Sequence, residues 1–175
     1  ATGTTADFTA GAGYYFFFND TAATVIYTSE EDLWQVPAVG GTARRLTAGQ
    51  GTARFPRISP DGTTVAFSGT EEGPMEVFVM PVTGGQPRRL TFHGVAALVC
   101  GWDPEGSILY ATPAQQHTMR FTTIFRISPT GGEPEELPIG SALTLSYGPE
   151  GGVALGRYGL AARAPAHWQR SRSAT

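Results

Sequence analysis

Serine, histidine and cysteine side chains are the candidates for catalytic or metal chemistry in this 175-residue chain. The sequence has no Gly-x-Ser-x-Gly segment, which would expose a serine nucleophile on a sharp turn between a strand and a helix. Ser59 and Ser128 lie beside prolines, where their hydroxyl groups are suited to hydrogen bonds with the backbone of a turn. We therefore predict no catalytic residue in this chain.

The spacing of the possible metal ligands argues against a metal site. His93, His117 and His167 are 24 and 50 residues apart, whereas paired histidine ligands on a helix are four apart. Cys100 is the single cysteine, which excludes an internal disulfide and a cysteine-based zinc site. Its apolar neighbours predict a buried, unreactive thiol. We predict no metal and no cofactor.

The composition predicts many turns and few long helices. Glycine (23 residues) and proline (13) are abundant, the net charge is −3, and all twelve basic residues are arginine. An acidic chain without a basic patch is not typical of nucleic-acid binding proteins. The apolar stretches are too short to span a bilayer. We expect neither a nucleic acid nor a membrane as a partner.

Two turn signals recur along the chain with one period. Glycine pairs begin at residues 40, 84 and 131, in steps of 44 and 47, and prolines ahead of an acidic residue and glycine stand at 60, 104 and 149, in steps of 44 and 45. Proline fixes φ in the turn, glycine accepts a positive φ, and glycine pairs favour primed two-residue hairpins. Each period therefore predicts four short strands, which in the second period span 54–58, 64–68, 76–80 and 87–91.

A period of about 44 residues with four strands is typical of a β-propeller blade. Consecutive apolar positions within the strands indicate burial on both faces. We predict an all-β fold, a partial β-propeller of about two full four-stranded blades plus parts of two more. Half a blade spans 32–47, two full blades span 54–138, and part of a fourth begins at 142. The propeller domain is assigned to residues 30–170, and residues 171–175 form a tail that departs from the repeat.

Residues 1–29 break the period. A step of 44 residues back from Pro60 leads to an aromatic run at 14–18, where a turn is expected. Residues 19–28 are also similar to the translation of a common sequencing-library adapter. We predict that residues 1–29 are a non-native or artefactual segment whose deletion leaves the thermal transition unchanged or improved. The alternative is a divergent half-blade, because residues 25–27 have the apolar pattern of a strand.

The repeat also assigns places to the charged residues. The pairs at 44–45 and 88–89 fall on the outer strand, where a solvated edge is expected. Asp61, Asp103 and Glu105 occupy equivalent turns, which favours structural roles. The residues that could line a central channel lie on or next to the innermost strands. They are Arg54, Arg57 and Trp102, which could bind peptide carboxylates or backbones, the alternative being packing and solvated rim positions.

Three segments carry a family resemblance: Asp-Leu-Trp-Gln-Val-Pro at 32–37, Arg-Arg-Leu-Thr at 44–47 and Ser-Pro-Asp-Gly at 59–62. Together with Gly-Trp-Asp-Pro at 101–104, they resemble the N-terminal β-propeller of the tricorn protease family and, more broadly, the TolB-like repeats. The similarity covers roughly residues 30–170.

The resemblance implies a non-catalytic propeller portion of a tricorn-like serine peptidase. Such a portion would scaffold and gate peptide passage to or from a catalytic domain absent from this chain, and the peptidase activity would reside outside these residues. Two alternatives stay open, a TolB-like periplasmic protein-binding propeller and the propeller cap of a prolyl-oligopeptidase-like hydrolase.

The implied partners are peptides and the other domains or subunits of the parent peptidase. The family also implies a homo-oligomeric parent and a cytoplasmic location, with the periplasm as the alternative.

Overall fold

A computed structural model describes residues 16–18, 24–49, 51–116, 121–148 and 151–157, with backbone only at 16–18. Every regular element in these ranges is a β-strand. The strands are β1 (Phe16–Phe18), β2 (Thr24–Ser29), β3 (Asp32–Pro37), β4 (Arg44–Arg45), β5 (Ala53–Ile58), β6 (Thr64–Gly69), β7 (Glu76–Pro81), β8 (Arg88–Arg89), β9 (Leu98–Trp102), β10 (Ile108–Thr112), β11 (Thr123–Ile127), β12 (Glu135–Ser141), β13 (Thr144–Tyr147) and β14 (Val153–Gly156).

The strands form three four-stranded antiparallel sheets and one hairpin. Blade 1 contains β1 to β4, blade 2 contains β5 to β8, and blade 3 contains β9 to β12, each in chain order, while β13 and β14 pair with each other. The predicted all-β class and the partial propeller are confirmed. The prediction of two full blades corresponds to blades 2 and 3.

Blade 1 begins earlier than residue 30. Strand β2 pairs with β3 from Thr24 opposite Pro37 to Ser29 opposite Asp32, and β1 pairs with β2. Val25 and Ile26 are buried. The described part of the first 29 residues therefore completes a four-stranded blade, which is the arrangement expected of a divergent half-blade. Its non-native origin stays a prediction, since any segment of suitable pattern can add strands to a sheet.

The turns between the strands follow the predicted chemistry in one case and depart from it in the other. In the Pro-Asp-Gly turn the Gly62 amide donates to the Ser59 carbonyl over 2.8 Å, and Gly62 has φ +73°. In the first glycine-pair turn, however, the Gly40 amide donates to the Pro37 carbonyl over 2.9 Å. The positive φ angles are those of Gly40 and Gly41, not those of the two central residues. The primed two-residue hairpin predicted there is wrong, because the pair follows a four-residue turn instead of forming its centre.

Each sheet is buried on both faces, as the consecutive apolar positions predicted. Alternate residues of blade 2, among them Phe67 and Met80, pack against Ile26 and Leu33 of blade 1. The opposite face of blade 2 packs against blade 3 through the cluster Ala66, Val77, Val79, Leu90, Val99, Ile108, Tyr110, Phe125 and Ile127. The first strands of successive sheets also contact one another, β1 with β5, β5 with β9, and β9 with β13. This places the first strand of each sheet on the inner side of the arc.

The prediction for residues 171–175 concerns part of the chain outside the described residues. Within the described ranges, no helix has the length and apolar character needed to cross a membrane.

Candidate functional site

The structure separates the three predicted channel residues into two groups. Arg54 extends from β5 towards blade 1, where one of its guanidinium nitrogens lies 3.7 Å from the Glu31 carboxylate. Arg57 and Trp102 lie together at the contact between β5 and β9. The Trp102 indole N–H donates to the Arg57 carbonyl over 3.0 Å, and the Arg57 Nε donates to the Cys100 carbonyl over 2.8 Å. Arg57 and Trp102 therefore connect blades 2 and 3.

A β-bulge produces this separation. The pairing of β5 with β6 shifts between Arg54 and Arg57, and Phe55 within the bulge has φ +53°. An extra residue in one strand changes which face the following side chains occupy. Arg54 keeps a half-exposed side chain, whereas Arg57 turns into the blade contact. The channel-lining role of Arg54, Arg57 and Trp102 stays a prediction.

Burial governs the ionisation at this contact. It lowers the pKa of Arg57 to about 10, an effect that the electrostatic interaction with Cys100 opposes. It also raises the pKa of Cys100 to about 11. At neutral pH the arginine is charged and the cysteine is a protonated thiol with little nucleophilic character, as predicted.

A groove opens between the second and third blades, beside Trp102. Its cavity of about 270 Å³ lies between the β5–β6 turn and the β9–β10 turn. The groove is defined here by its apolar walls and its acidic rim, which are Trp102, Pro60, Pro104, Pro129, Asp61 and Glu105. Because adjacent strands are antiparallel, the Pro-x-Gly turns and the glycine-pair turns occupy the same end of each blade. The groove is therefore part of the surface that these turns form.

Hydrogen bonds hold the Asp61 carboxylate in place at the rim. Ser59 Oγ donates to Asp61 Oδ1 over 2.5 Å, and the Thr63 amide and hydroxyl donate to its two oxygens over 3.1 and 2.8 Å. These bonds, first that from Ser59, lower the pKa of Asp61 and keep it ionised. The predicted structural role of Asp61 in its turn is confirmed.

The equivalent turn of blade 3 is built differently. Asp103 replaces Ser59, and its Oδ1 accepts the Ser107 amide over 2.7 Å, while its buried Oδ2 has no partner among the described residues. Glu105, the counterpart of Asp61, is exposed at the rim. The pKa of Tyr147 is raised, chiefly by burial and also by the charges of Asp103 and Glu105. The charge of Arg126 opposes that rise, so this end of blade 3 contains both acidic groups and one arginine.

The arginine pairs lie at an exposed edge, as the repeat predicted, since Arg44, Arg45 and Arg88 are exposed and Arg89 is half-buried. They also make specific contacts. Arg45 pairs with the buried carboxylate of Asp32, and Arg89 Nη2 lies 3.1 Å from that of Glu76, each within its own blade. Thr47 and Thr91 complete these clusters, since each hydroxyl donates to the same carboxylate and accepts the amide of Leu33 or Val77. The second arginine of each pair therefore binds a buried acid, at residue 32 or 76, from the edge of its blade.

The first arginine of each pair instead connects neighbouring blades. Arg44 Nη1 donates to the Thr83 carbonyl over 2.8 Å, and Arg88 Nη1 donates to the Thr130 carbonyl over 3.2 Å. Both carbonyls directly precede a glycine pair. Each of these arginines therefore connects its own blade to the glycine-pair turn of the following blade.

The described serines and histidine form no nucleophile and base pair. Ser59 donates to Asp61, Ser68 donates to the Ala97 carbonyl, and Ser128 contacts Thr130. His93 Nε2 lies 2.9 Å from the Tyr110 hydroxyl. Within the described ranges, no group of three or more possible ligands could hold a metal ion. His117 and His167 lie outside the described residues.

Comparison with known proteins agrees with the repeated blades. The family model for the tricorn protease N-terminal beta propeller domain matches residues 17–175. The chain belongs to this family. The match begins within the segment 1–29 and continues through all three blades.

Two relatives show how much of a tricorn protein the chain represents. It is 38% identical over 172 residues to tricorn protease homolog 1 of Streptomyces coelicolor. That match covers 95% of this chain and 15% of the relative. It is 31% identical over 134 residues to the putative tricorn-like protease N-terminal subunit of Sulfurisphaera tokodaii, covering 73% of this chain and 67% of that protein. The chain therefore spans a small part of the first relative and about two thirds of the second.

Solved structures support the same fold. The tricorn protease crystal structure matches with a TM-score of 0.68 and 23% identity over 77% of this chain and 14% of that one. TolB from Acinetobacter baumannii matches with a TM-score of 0.74 and 18% identity over 90% of this chain and 41% of that one. At these identities the likeness shows a shared propeller fold.

Proposed function

We propose that this chain is a non-catalytic portion of a tricorn-like serine peptidase. It scaffolds the parent enzyme and gates peptide passage to or from a catalytic domain outside the chain. The observation that carries the proposal is the membership of the tricorn N-terminal propeller family. Ser59 and Ser68 are occupied by hydrogen bonds within the fold, to Asp61 and to the Ala97 carbonyl. Peptides and the other domains or subunits of the parent are the proposed partners.

The packing supports a scaffolding role. Blades 1, 2 and 3 contact one another through apolar faces and through arginine contacts with the turn of the next blade. Blades of this kind need neighbours on both sides to bury their faces. We propose that the remaining blades come from the rest of the parent protein. The homo-oligomeric state and the cytoplasmic location of the parent belong to the same proposal.

The first test measures hydrolysis. The purified chain should not hydrolyse peptide substrates above background. Turnover that a single substitution within residues 30–170 abolishes would overturn the non-catalytic role.

The second test uses the full-length parent enzyme. Deleting the part that corresponds to residues 30–157 should preserve cleavage of a tripeptide amide and alter the preference between short and long peptides. Labelling of the active-site serine by a fluorophosphonate probe controls for folding of the catalytic domain. Normal labelling with an unchanged length preference would contradict gating.

A further inference from the structure

The groove between blades 2 and 3 has the walls of a side-chain binding site. Trp102 supplies an aromatic surface, and Pro60, Pro104 and Pro129 supply rigid apolar contacts. The cavity of about 270 Å³ is smaller than most small-molecule sites, which span roughly 300–1,000 Å³. It is therefore suited to one side chain of a longer ligand.

The structure holds Trp102 and Asp61 in position before any ligand binds. The Trp102 indole is fixed by its 3.0 Å hydrogen bond to the Arg57 carbonyl. The Asp61 carboxylate is fixed by Ser59 and Thr63. A preorganised site loses less conformational entropy on binding than a mobile one.

The charge at the rim selects a cationic ligand. Asp61 and Glu105 both lie on the rim, and among the described residues the Glu105 carboxylate has no ion-pair partner. Two arginines lie nearby. Arg57 Nε donates to the Cys100 carbonyl. Arg126 Nη2 lies 2.8 Å from Glu135, its main partner, and Arg126 also interacts electrostatically with Asp103 and Glu105 without forming an ion pair with either.

We propose that the groove binds the side chain of a lysine or arginine in an extended peptide. The aliphatic part of that side chain packs against Trp102 and the prolines, and its charged end meets Glu105 and Asp61. The inference adds a ligand class to the proposed function without depending on it, because the chain would bind such a peptide whether or not the parent enzyme gates passage.

Fluorescence anisotropy tests the proposal with the 175-residue chain. The probes are fluorescein-labelled glycine and alanine peptides with one central arginine, lysine, citrulline or glutamate. The arginine and lysine peptides should bind at least about tenfold more tightly than the citrulline peptide, a difference of about 1.4 kcal/mol. Added salt should weaken their binding. Equal affinity for arginine and citrulline, or no binding of any probe, would overturn the proposal.

A matched pair of variants locates the site. Glu105→Gln should weaken binding of the arginine peptide several-fold and leave binding of the citrulline peptide unchanged. Glu136→Gln makes the same change of charge on outer strand β12 of the same blade, and it should leave both affinities unchanged. A thermal transition like that of the unsubstituted chain shows that each variant is folded. Equal effects of the two variants would place the binding outside the groove.

Trp102→Phe provides an independent check, because it keeps an aromatic surface and loses the hydrogen bond to Arg57. Affinity for the arginine peptide should fall less than with Trp102→Leu, which removes the aromatic face. If both variants fold and bind the arginine peptide as tightly as the unsubstituted chain does, the proposal is wrong.

Discussion

Blades 2 and 3 secure their outer strands in different ways. In blade 2 the outer strand β8 is only Arg88 and Arg89, followed by one further backbone bond from the Leu90 amide to the Val77 carbonyl. The buried Glu76 then binds Arg89, Thr91 and the Gly94 amide. In blade 3 the equivalent of Glu76 is Thr123, whose buried hydroxyl has no partner among the described residues. There the outer strand is longer and reaches Ser141 opposite Thr123.

The difference shows that the outer strand of a blade can be held by side-chain contacts or by backbone pairing. A buried carboxylate with an arginine and a threonine satisfies the polar groups of a short outer strand. Where the acid is absent, additional strand pairing takes over that role. Blade 1 follows the first solution, with Asp32, Arg45 and Thr47.

The largest expected effect tests whether β1 and β2 are integral strands of blade 1. Deleting residues 1–29 removes β1 and β2, including the buried Val25 and Ile26, each contributing about 1.5–3 kcal/mol of burial. The burial of these residues predicts that the thermal transition falls by several degrees, the opposite of the outcome expected from sequence. An unchanged or higher transition would instead support a non-native segment.

The next effect concerns the buried acid of blade 2. Glu76→Gln leaves the Arg89 charge without its buried partner and should cost about 3–5 kcal/mol of unfolding free energy. Glu72→Gln is the matched control, because Glu72 is exposed and lies 3.6 Å from the same arginine. It should cost less than about 1 kcal/mol in urea denaturation. Similar losses from both variants would show that the buried Glu76 carboxylate stabilises the chain no more than the exposed Glu72 carboxylate does.

A smaller effect separates the two kinds of arginine contact. Arg88→Ala removes hydrogen bonds to the Pro129 and Thr130 carbonyls of blade 3 and should cost about 0.5–1.5 kcal/mol. Arg126→Ala removes an exposed ion pair with Glu135 inside blade 3 and should cost about 0–1 kcal/mol. A greater loss for Arg126→Ala would contradict the inter-blade role of Arg88.

The smallest effect has the opposite sign. Thr123→Val removes a buried hydroxyl without a partner and should be neutral or stabilise the chain by up to about 1 kcal/mol. The same change at Thr91 removes one bond to Glu76 and one from the Val77 amide, and it should destabilise clearly. Destabilisation by Thr123→Val, measured by urea denaturation, would reveal an unrecognised partner for that hydroxyl.

The period and the blades could be predicted from sequence because their signals are local. Proline and glycine at 60 and 62 determine a turn by their own backbone preferences. The contacts of the arginine pairs were missed, although Asp32 and Arg45 are separated by 13 residues, as are Glu76 and Arg89. That repeated spacing was the available signal.

The groove could not be predicted in the same way. It depends on how the Asp61 turn and the Glu105 turn approach each other across two sheets, and this follows from packing between blades. The division between Arg54 and Arg57 depends on a bulge that the sequence pattern does not reveal.

Hydrogen exchange in the unsubstituted chain and in the Glu76→Gln variant gives the most direct test. It asks whether side chains hold the outer strand of blade 2 and backbone pairing holds that of blade 3. We predict that the substitution accelerates amide exchange at residues 88–91 far more than at residues 135–141. Equal acceleration of both segments, or no change at residues 88–91, would contradict the account.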